Sequence, residues 1–137
     1  MKKAIFILSA SMALYASCKK DDNPTPSQNS ITGKWTIVST HKKTSIGGVE
    51  KDETINATPG DYVDVRSDGY AYGYIDGEHD TTGYKVLDNS KIVFFDDDQQ
   101  SYSDTAQIKT LTKNSLVLFQ KYSDGADYME VTQTLKK

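Results

Sequence analysis

The chain has 137 residues, a formal net charge of −3, 36% hydrophobic residues and a mean hydropathy of −0.59. This length suits one domain, and the composition excludes a large solid core. Residues 1–17 hold two bases and no acid, so the remainder carries 14 basic and 19 acidic residues, a net charge of −5. An acidic domain argues against general nucleic-acid binding, which needs a basic surface.

Residues 1–17 have the pattern of an export signal. A basic start, Met1-Lys2-Lys3, precedes an apolar run from Ala4 to Ala16. That run is shorter than the roughly 20 residues that span a bilayer as a helix. The sequence therefore predicts a cleaved signal peptide over 1–17.

Cys18 is the only cysteine, and it follows Leu14-Tyr15-Ala16-Ser17. The run resembles a bacterial lipobox, although Tyr15 stands where leucine is usual. The resemblance implies that the Cys18 thiol is lipidated and that the acyl chains anchor the protein to a membrane. The alternative is an ordinary signal peptide followed by a chance cysteine.

Residues 18–30 are predicted to be a tether, because Pro24-Thr25-Pro26-Ser27-Gln28-Asn29-Ser30 has nothing to bury. Before it, Lys19-Lys20-Asp21-Asp22 resembles the surface-export signal of certain Gram-negative lipoproteins. The resemblance implies an outer-membrane anchor with exposure at the cell surface. The alternatives are a solvated tether without a signal and a location on the periplasmic side.

Residues 31–137 are predicted to form one all-β domain. Turn pairs such as Asp68-Gly69, Asp76-Gly77 and Asp124-Gly125 separate runs rich in Val, Ile, Thr, Tyr and Phe. A meander of this kind closes most simply into an antiparallel up-and-down barrel of roughly eight to nine strands, which also removes exposed edges. We predict strands at 33–42, 49–55, 62–67, 70–75, 81–87, 91–95, 102–111, 115–122 and 126–135.

The turn at Asp68-Gly69 decides where a stripe of three tyrosines points. A two-residue turn places Tyr70, Tyr72 and Tyr74 inside with Val63 and Val65. A three-residue turn, Ser67-Asp68-Gly69, places the tyrosines outside. The sequence leaves both open. An exposed stripe would suit stacking on a sugar or an aromatic ligand, although tyrosine is also common in ordinary strands.

Gly33-Lys34-Trp35 is a Gly-x-Trp opening on the first predicted strand. By alternation, Trp35 and Ile37 share the predicted inward face of this strand. The Gly-x-Trp opening looks like the start of lipocalin-like domains, in which the tryptophan plugs one end of the barrel. The runs 62–70, 83–87, 91–94 and 108–118 also resemble small lipocalin-like lipoproteins of Gram-negative bacteria, and the resemblance covers 31–135. It implies an envelope protein that binds a small ligand.

Two functions remain open, because a barrel of about eight strands is either filled by side chains or holds one small ligand. The first is a monomeric, lipid-anchored protein that binds a small apolar or amphipathic molecule. The second is a surface structural or interaction protein with a solid barrel. Inward-facing Ala71, Gly73 and Thr82 would favour the first. Its predicted ligand-binding residues are Trp35, Val63, Val65, Tyr72, Tyr84, Ile92 and Phe94.

Catalysis and metal binding have little support. His41 and His79 are the only histidines, and no hydrolase or zinc motif accompanies them. Asp76, Glu78 and Asp80, or the run 96–98, offer oxygen ligands for calcium, but acid-rich turns explain both more simply. We therefore expect no enzyme activity, no cofactor and no metal.

Overall fold

The computed structural model describes residues 30–88, 90–95 and 103–137. The predictions for the signal peptide, Cys18, the tether up to residue 29 and the acidic run 96–98 lie outside these residues. Within the described part, every element is a β-strand. The strands are β1 Gly33–Ile46, β2 Val49–Asn56, β3 Tyr62–Val65, β4 Tyr70–Ile75, β5 Glu78–Asp88, β6 Lys91–Phe95, β7 Ser103–Leu111, β8 Ser115–Asp124 and β9 Asp127–Lys136.

The strands form one antiparallel meander that closes on itself. From β3 to β9 each strand pairs with the next, and β9 pairs back onto β1. The first half of β1 pairs with β3, which completes a ring of eight strands. The ninth strand, β2, pairs with the second half of β1. The predicted all-β meander barrel of eight to nine strands is confirmed.

The barrel interior follows the alternation of the strands. Direct cross-strand partners share a face, so Ile37 meets Leu135, and Ile92 meets Ala106. Burial of these apolar side chains is the main favourable term in folding. The buried apolar residues are Ile31, Trp35, Ile37, Val65, Ala71, Ile92, Ala106, Leu116, Leu118 and Leu135.

Trp35 closes the end of the barrel where β1 begins. Its side chain is fully buried, and its indole Nε1 donates a hydrogen bond to the Ile31 carbonyl at 2.7 Å. The Lys137 ammonium lies 4.2 Å from the indole ring centroid and donates to the Thr32 carbonyl at 2.9 Å. Gly33 has a φ of 120°, and a Cβ there would stand 3.0 Å from Lys137 Nζ. A glycine therefore suits this position both in conformation and in space.

The turn between β3 and β4 has three residues, which settles the direction of the tyrosines. The Arg66 amide donates to the Tyr70 carbonyl at 2.9 Å, and Val65 pairs with Ala71. Ser67, Asp68 and Gly69 form the turn, with Gly69 at a φ of 91°. Ala71 is consequently buried inside, and the three alternating tyrosines point outward.

Strands β1 and β5 are each four residues longer than the sequence predicts. β5 begins at Glu78 because Asp76 and Gly77 both adopt positive φ and make a two-residue hairpin turn. His79 therefore lies on a strand and not in a loop. β1 continues to Ile46, and its second half forms a hairpin with β2. No helix among the described residues is long and apolar enough to cross a membrane.

Truncation of a buried side chain should cost far more than truncation of an exposed one. Ile92 is fully buried, whereas Ile46 is 64% exposed. We expect Ile92→Ala to lower the free energy of unfolding by about 2–5 kcal/mol, through lost transfer energy and a cavity. Ile46→Ala should change it by about 0.5 kcal/mol or less. Urea unfolding, monitored by circular dichroism, measures the free energy of unfolding of both variants. Equal effects would contradict the assignment of the core.

Candidate functional site

A pocket of about 280 Å³ opens at the end of the barrel opposite Trp35. It lies where the chain passes from β2 to β3 and beside the turn from β4 to β5. We call it the mouth pocket. Its lining residues are Ile37, Thr40, Ile55, Asn56, Ala57, Thr58, Asp61, Ile75, Asp76 and Gln133.

The mouth pocket has apolar walls and polar groups beside them. Ile37 is buried at its base, whereas Ile55 and Ile75 are 55% and 41% exposed. Thr40 pairs with Ile55 on one side and with Gln133 on the other, so three inward side chains stand in a row. Such a mixture of apolar wall and few polar groups is typical of small-molecule sites.

A bulge in β1 places these side chains. The β1–β9 register shifts between Ile37 and Ser39, so Ile37 and Thr40 both face inward although three positions separate them. Beyond the bulge, β1 pairs with β2 on the edge that it previously shared with β3. The inner surface of this hairpin thus continues the barrel wall past the mouth.

Asp61 holds the rim of the mouth pocket together. Its side chain is 4% exposed, and Oδ2 accepts a hydrogen bond from the Thr58 amide at 3.1 Å. Oδ1 accepts from the Asp76 amide at 3.0 Å, which ties the β2–β3 loop to the β4–β5 turn. The Asp61 carbonyl accepts from the Ile37 amide at 3.1 Å. The rim is therefore held by hydrogen bonds to a buried carboxylate, without any ligand.

The predicted ligand-binding residues do not line the mouth pocket. Register and alternation place six of them on the inner face of the barrel: Trp35, Val63, Val65, Tyr84, Ile92 and Phe94. The seventh, Tyr72, lies on the outer wall, which decides the direction that the sequence left open. The cause is the three-residue turn before β4, which shifts the alternation by one residue.

Tyr84 holds the turn between β3 and β4 at the closed end of the barrel. Its hydroxyl donates to the Arg66 carbonyl at 2.6 Å, and its amide donates to the Gly69 carbonyl at 2.8 Å. Burial, followed by the charge of Asp68, raises the pKa of Tyr84 above its ordinary value. The hydroxyl therefore stays protonated near neutral pH, and its proton is engaged by the backbone.

Three small residues face the interior. This arrangement favours the first of the two functions, a carrier barrel that binds one small ligand. Ala71 is buried, and Gly73 and Thr82 share its face by register. A Cβ at Gly73 would meet only ordinary contacts, the nearest being the Asp80 carbonyl oxygen at 3.8 Å. The interior is thus tightly filled around Trp35 and less so towards the mouth.

Sequence reasoning missed most of the mouth. Ile37 was expected inside, but Thr40, Ile55 and Gln133 were not singled out because the bulge that turns Thr40 inward leaves no sequence signal. Asp61 was also missed. Its position after Pro59-Gly60 is a typical one for a side chain that caps backbone amides, and this signal could have indicated it.

The two histidines serve local contacts. His41 Nε2 lies 2.6 Å from Asp52 Oδ1 on the exposed face of the β1–β2 hairpin. The His79 ring lies 4.9 Å from the Tyr74 ring on the outer wall. Across the described residues, no group of three or more His, Cys, Asp or Glu side chains is placed to hold a metal ion.

Comparison of the chain with protein-family models, with curated proteins and with solved structures gives no match.

Removal of the Asp61 carboxylate should loosen the rim. We expect Asp61→Ala to lower the free energy of unfolding by roughly 1–3 kcal/mol, because two backbone amides lose their acceptor. The matched variant Asp52→Ala breaks an exposed pair and should cost about 0–1 kcal/mol. Urea unfolding measures both. Similar costs for the two variants would show that Asp61 does not hold the rim.

Proposed function

We propose that this protein is a lipid-anchored binding protein of the bacterial cell envelope, with a lipocalin-like barrel that holds one small amphipathic ligand at its mouth. The observation that carries the proposal is the mouth pocket, which combines an apolar base with a rigid polar rim. The other end of the barrel is filled by the fully buried side chain of Trp35.

The size and lining of the pocket indicate the ligand. At about 280 Å³ it lies just below the range of roughly 300–1,000 Å³ that is usual for small-molecule sites. Ile37, Ile55 and Ile75 supply contact area for an apolar part. Thr40, Asn56 and Gln133 carry hydroxyl and amide groups that can both donate and accept hydrogen bonds. A short ligand with one polar end fits this distribution best.

The anchor is supported by the sequence. Cys18 stands in a lipobox-like run, and Lys19-Lys20-Asp21-Asp22 resembles a surface-export signal of Gram-negative lipoproteins. β1 begins at the closed end of the barrel, beside Trp35. An anchor attached through Ser30 would therefore join the barrel at the end opposite the mouth pocket, and the mouth could then face away from the outer membrane.

A second candidate is a surface interaction protein with a solid barrel. It is favoured by the fully buried side chains of Trp35, Ile92, Leu116 and Leu135, which fill the interior near the closed end. In this case the mouth pocket would be a shallow surface depression without a ligand. Neither candidate function involves catalysis.

Native mass spectrometry of residues 19–137, after incubation with envelope lipid extracts, tests the carrier function. We expect a retained small molecule that is released on denaturation. Ile55→Glu should abolish retention, because it places a carboxylate in the apolar wall of the pocket. Val49→Glu is the matched control, since Val49 is exposed on the same strand outside the pocket lining.

An apo mass in every extract would favour the solid barrel. Equal retention by Ile55→Glu and Val49→Glu would contradict the mouth pocket as the binding site, because the ligand would then sit elsewhere.

Replacement of Cys18 tests the anchor separately. We expect Cys18→Ala, expressed with its signal peptide in a Gram-negative host, to lose the mass of the acyl chains and to leave the membrane fraction. Stable anchoring requires more than one acyl chain, and in this proposal all of them depend on Cys18. Loss of the Cys18 thiol therefore removes the anchor completely. Unchanged membrane association would contradict lipidation at Cys18.

A further inference from the structure

The outer wall of the barrel on strands β3 to β6 is unusually aromatic. The three-residue turn before β4 directs alternate tyrosines of that strand outward, and neighbouring strands add further rings. We call this surface the aromatic wall. Its rings belong to Tyr62, Tyr70, Tyr72, Tyr74, His79 and Phe95.

The row of the aromatic wall nearest the mouth pocket, which we call the upper row, is a series of ring contacts across three strands. Tyr62 and Tyr74 are cross-strand partners with ring centroids 5.8 Å apart and planes at 25°. The Tyr74 and His79 rings follow at 4.9 Å. At the other end, the Lys34 ammonium lies 3.6 Å from the Tyr62 ring centroid. Each ring supports the next, so the row is preorganised.

The middle row joins a ring to charged groups. The Arg66 guanidinium lies 4.1 Å from the Tyr72 ring centroid, and its Nε donates to Asp64 at 2.8 Å. The Tyr72 hydroxyl donates to Asp68 at 3.0 Å. This hydrogen bond raises the pKa of Tyr72, and the bond to Asp64 raises the pKa of Arg66. Near neutral pH, Tyr72 is therefore a neutral phenol and Arg66 a cation.

The lower row contains a ring that lies across a glycine. Phe95 and Gly83 are direct cross-strand partners, and a Cβ on Gly83 would collide with the Phe95 ring. The ring thus occupies the space that a side chain at position 83 would fill. Tyr70 is the partner of Gly83 on the other side, which extends the aromatic surface to β4.

The charged groups among the rings of the aromatic wall indicate which class of ligand it binds. The fully buried centre of a protein–protein interface is depleted of charged residues. Here Asp64, Arg66 and Asp68 stand among the rings, so a dry protein contact would bury charges at a cost. A sugar chain is different. Each sugar ring has apolar C–H faces that can pack on aromatic rings, and hydroxyls that can hydrogen-bond to carboxylates and to the guanidinium. The two cations, Lys34 and Arg66, balance the two carboxylates, which favours a neutral sugar.

We propose that the aromatic wall binds neutral polysaccharide chains, which lie across strand β1 and strands β3 to β6. This is a second site on the outside of the barrel, separate from the mouth pocket in position and in ligand chemistry. The proposal does not depend on the carrier function, and each can fail without the other.

Affinity electrophoresis of the purified protein in native gels tests this site. The gels contain soluble starch, xylan, mannan or mixed-linkage β-glucan, and a gel without polysaccharide is the reference. We expect retardation in at least one of them. Tyr62→Ala and Tyr72→Ala should each weaken the apparent affinity about tenfold, the loss of one ring contact. Tyr128→Ala, which removes an outward tyrosine of β9 that bonds Glu50, should bind normally.

Tyrosine-resolved NMR of the unmutated protein provides a readout that does not depend on the folding of variants. Titration with an oligosaccharide of the retarding polysaccharide should shift the ring signals of Tyr62 and Tyr72 and leave those of Tyr128 in place. Absence of retardation in all four gels would overturn the proposal. Retardation without shifts at Tyr62 and Tyr72, or equal in wild type and both wall variants, would overturn it as well.

Discussion

The barrel depends on the pairing of β1 along both of its edges. One edge holds β9, and the other holds β3 and then β2. Closure of the ring satisfies the backbone groups of β1 and β9 that an open sheet would expose. It also brings Trp35, near the start of the described residues, under Lys137 at their end. The closed end, the mouth and the outer wall all take their positions from this one strand.

Irregularities in the strand pairing create the two surfaces for which we propose ligands. The bulge after Ile37 turns Thr40 inward and separates the paths of β2 and β3, which opens the mouth pocket. The three-residue turn before β4 sends the tyrosines outward. In a sheet with period two, a single added residue exchanges the faces of the following strand. Both surfaces therefore arise from small local departures in an otherwise regular meander.

The two surfaces divide the chemistry of the chain. Inside, apolar packing around Trp35 and Ile92 stabilises the fold, and the buried carboxylate of Asp61 fixes the rim. Outside, tyrosine rings, Lys34 and Arg66 form contacts that add little to a core but remain accessible. The protein can present both at once, since the mouth and the wall face different directions.

The sequence by itself determined the all-β class, the meander, most strand positions and the inward pairs Trp35 with Ile37 and Val63 with Val65. These follow from local alternation and from Asp-Gly turns, which are encoded over a few residues. Only the tertiary structure decided that Tyr72 points outward, that β1 reaches Ile46 and that Asp61 is buried. The turn length before β4 is ambiguous by one residue, and the bulge in β1 exists only because β9, more than 80 residues away, pairs with it. The bulge thus depends on a partner distant in the sequence, so no local pattern records it.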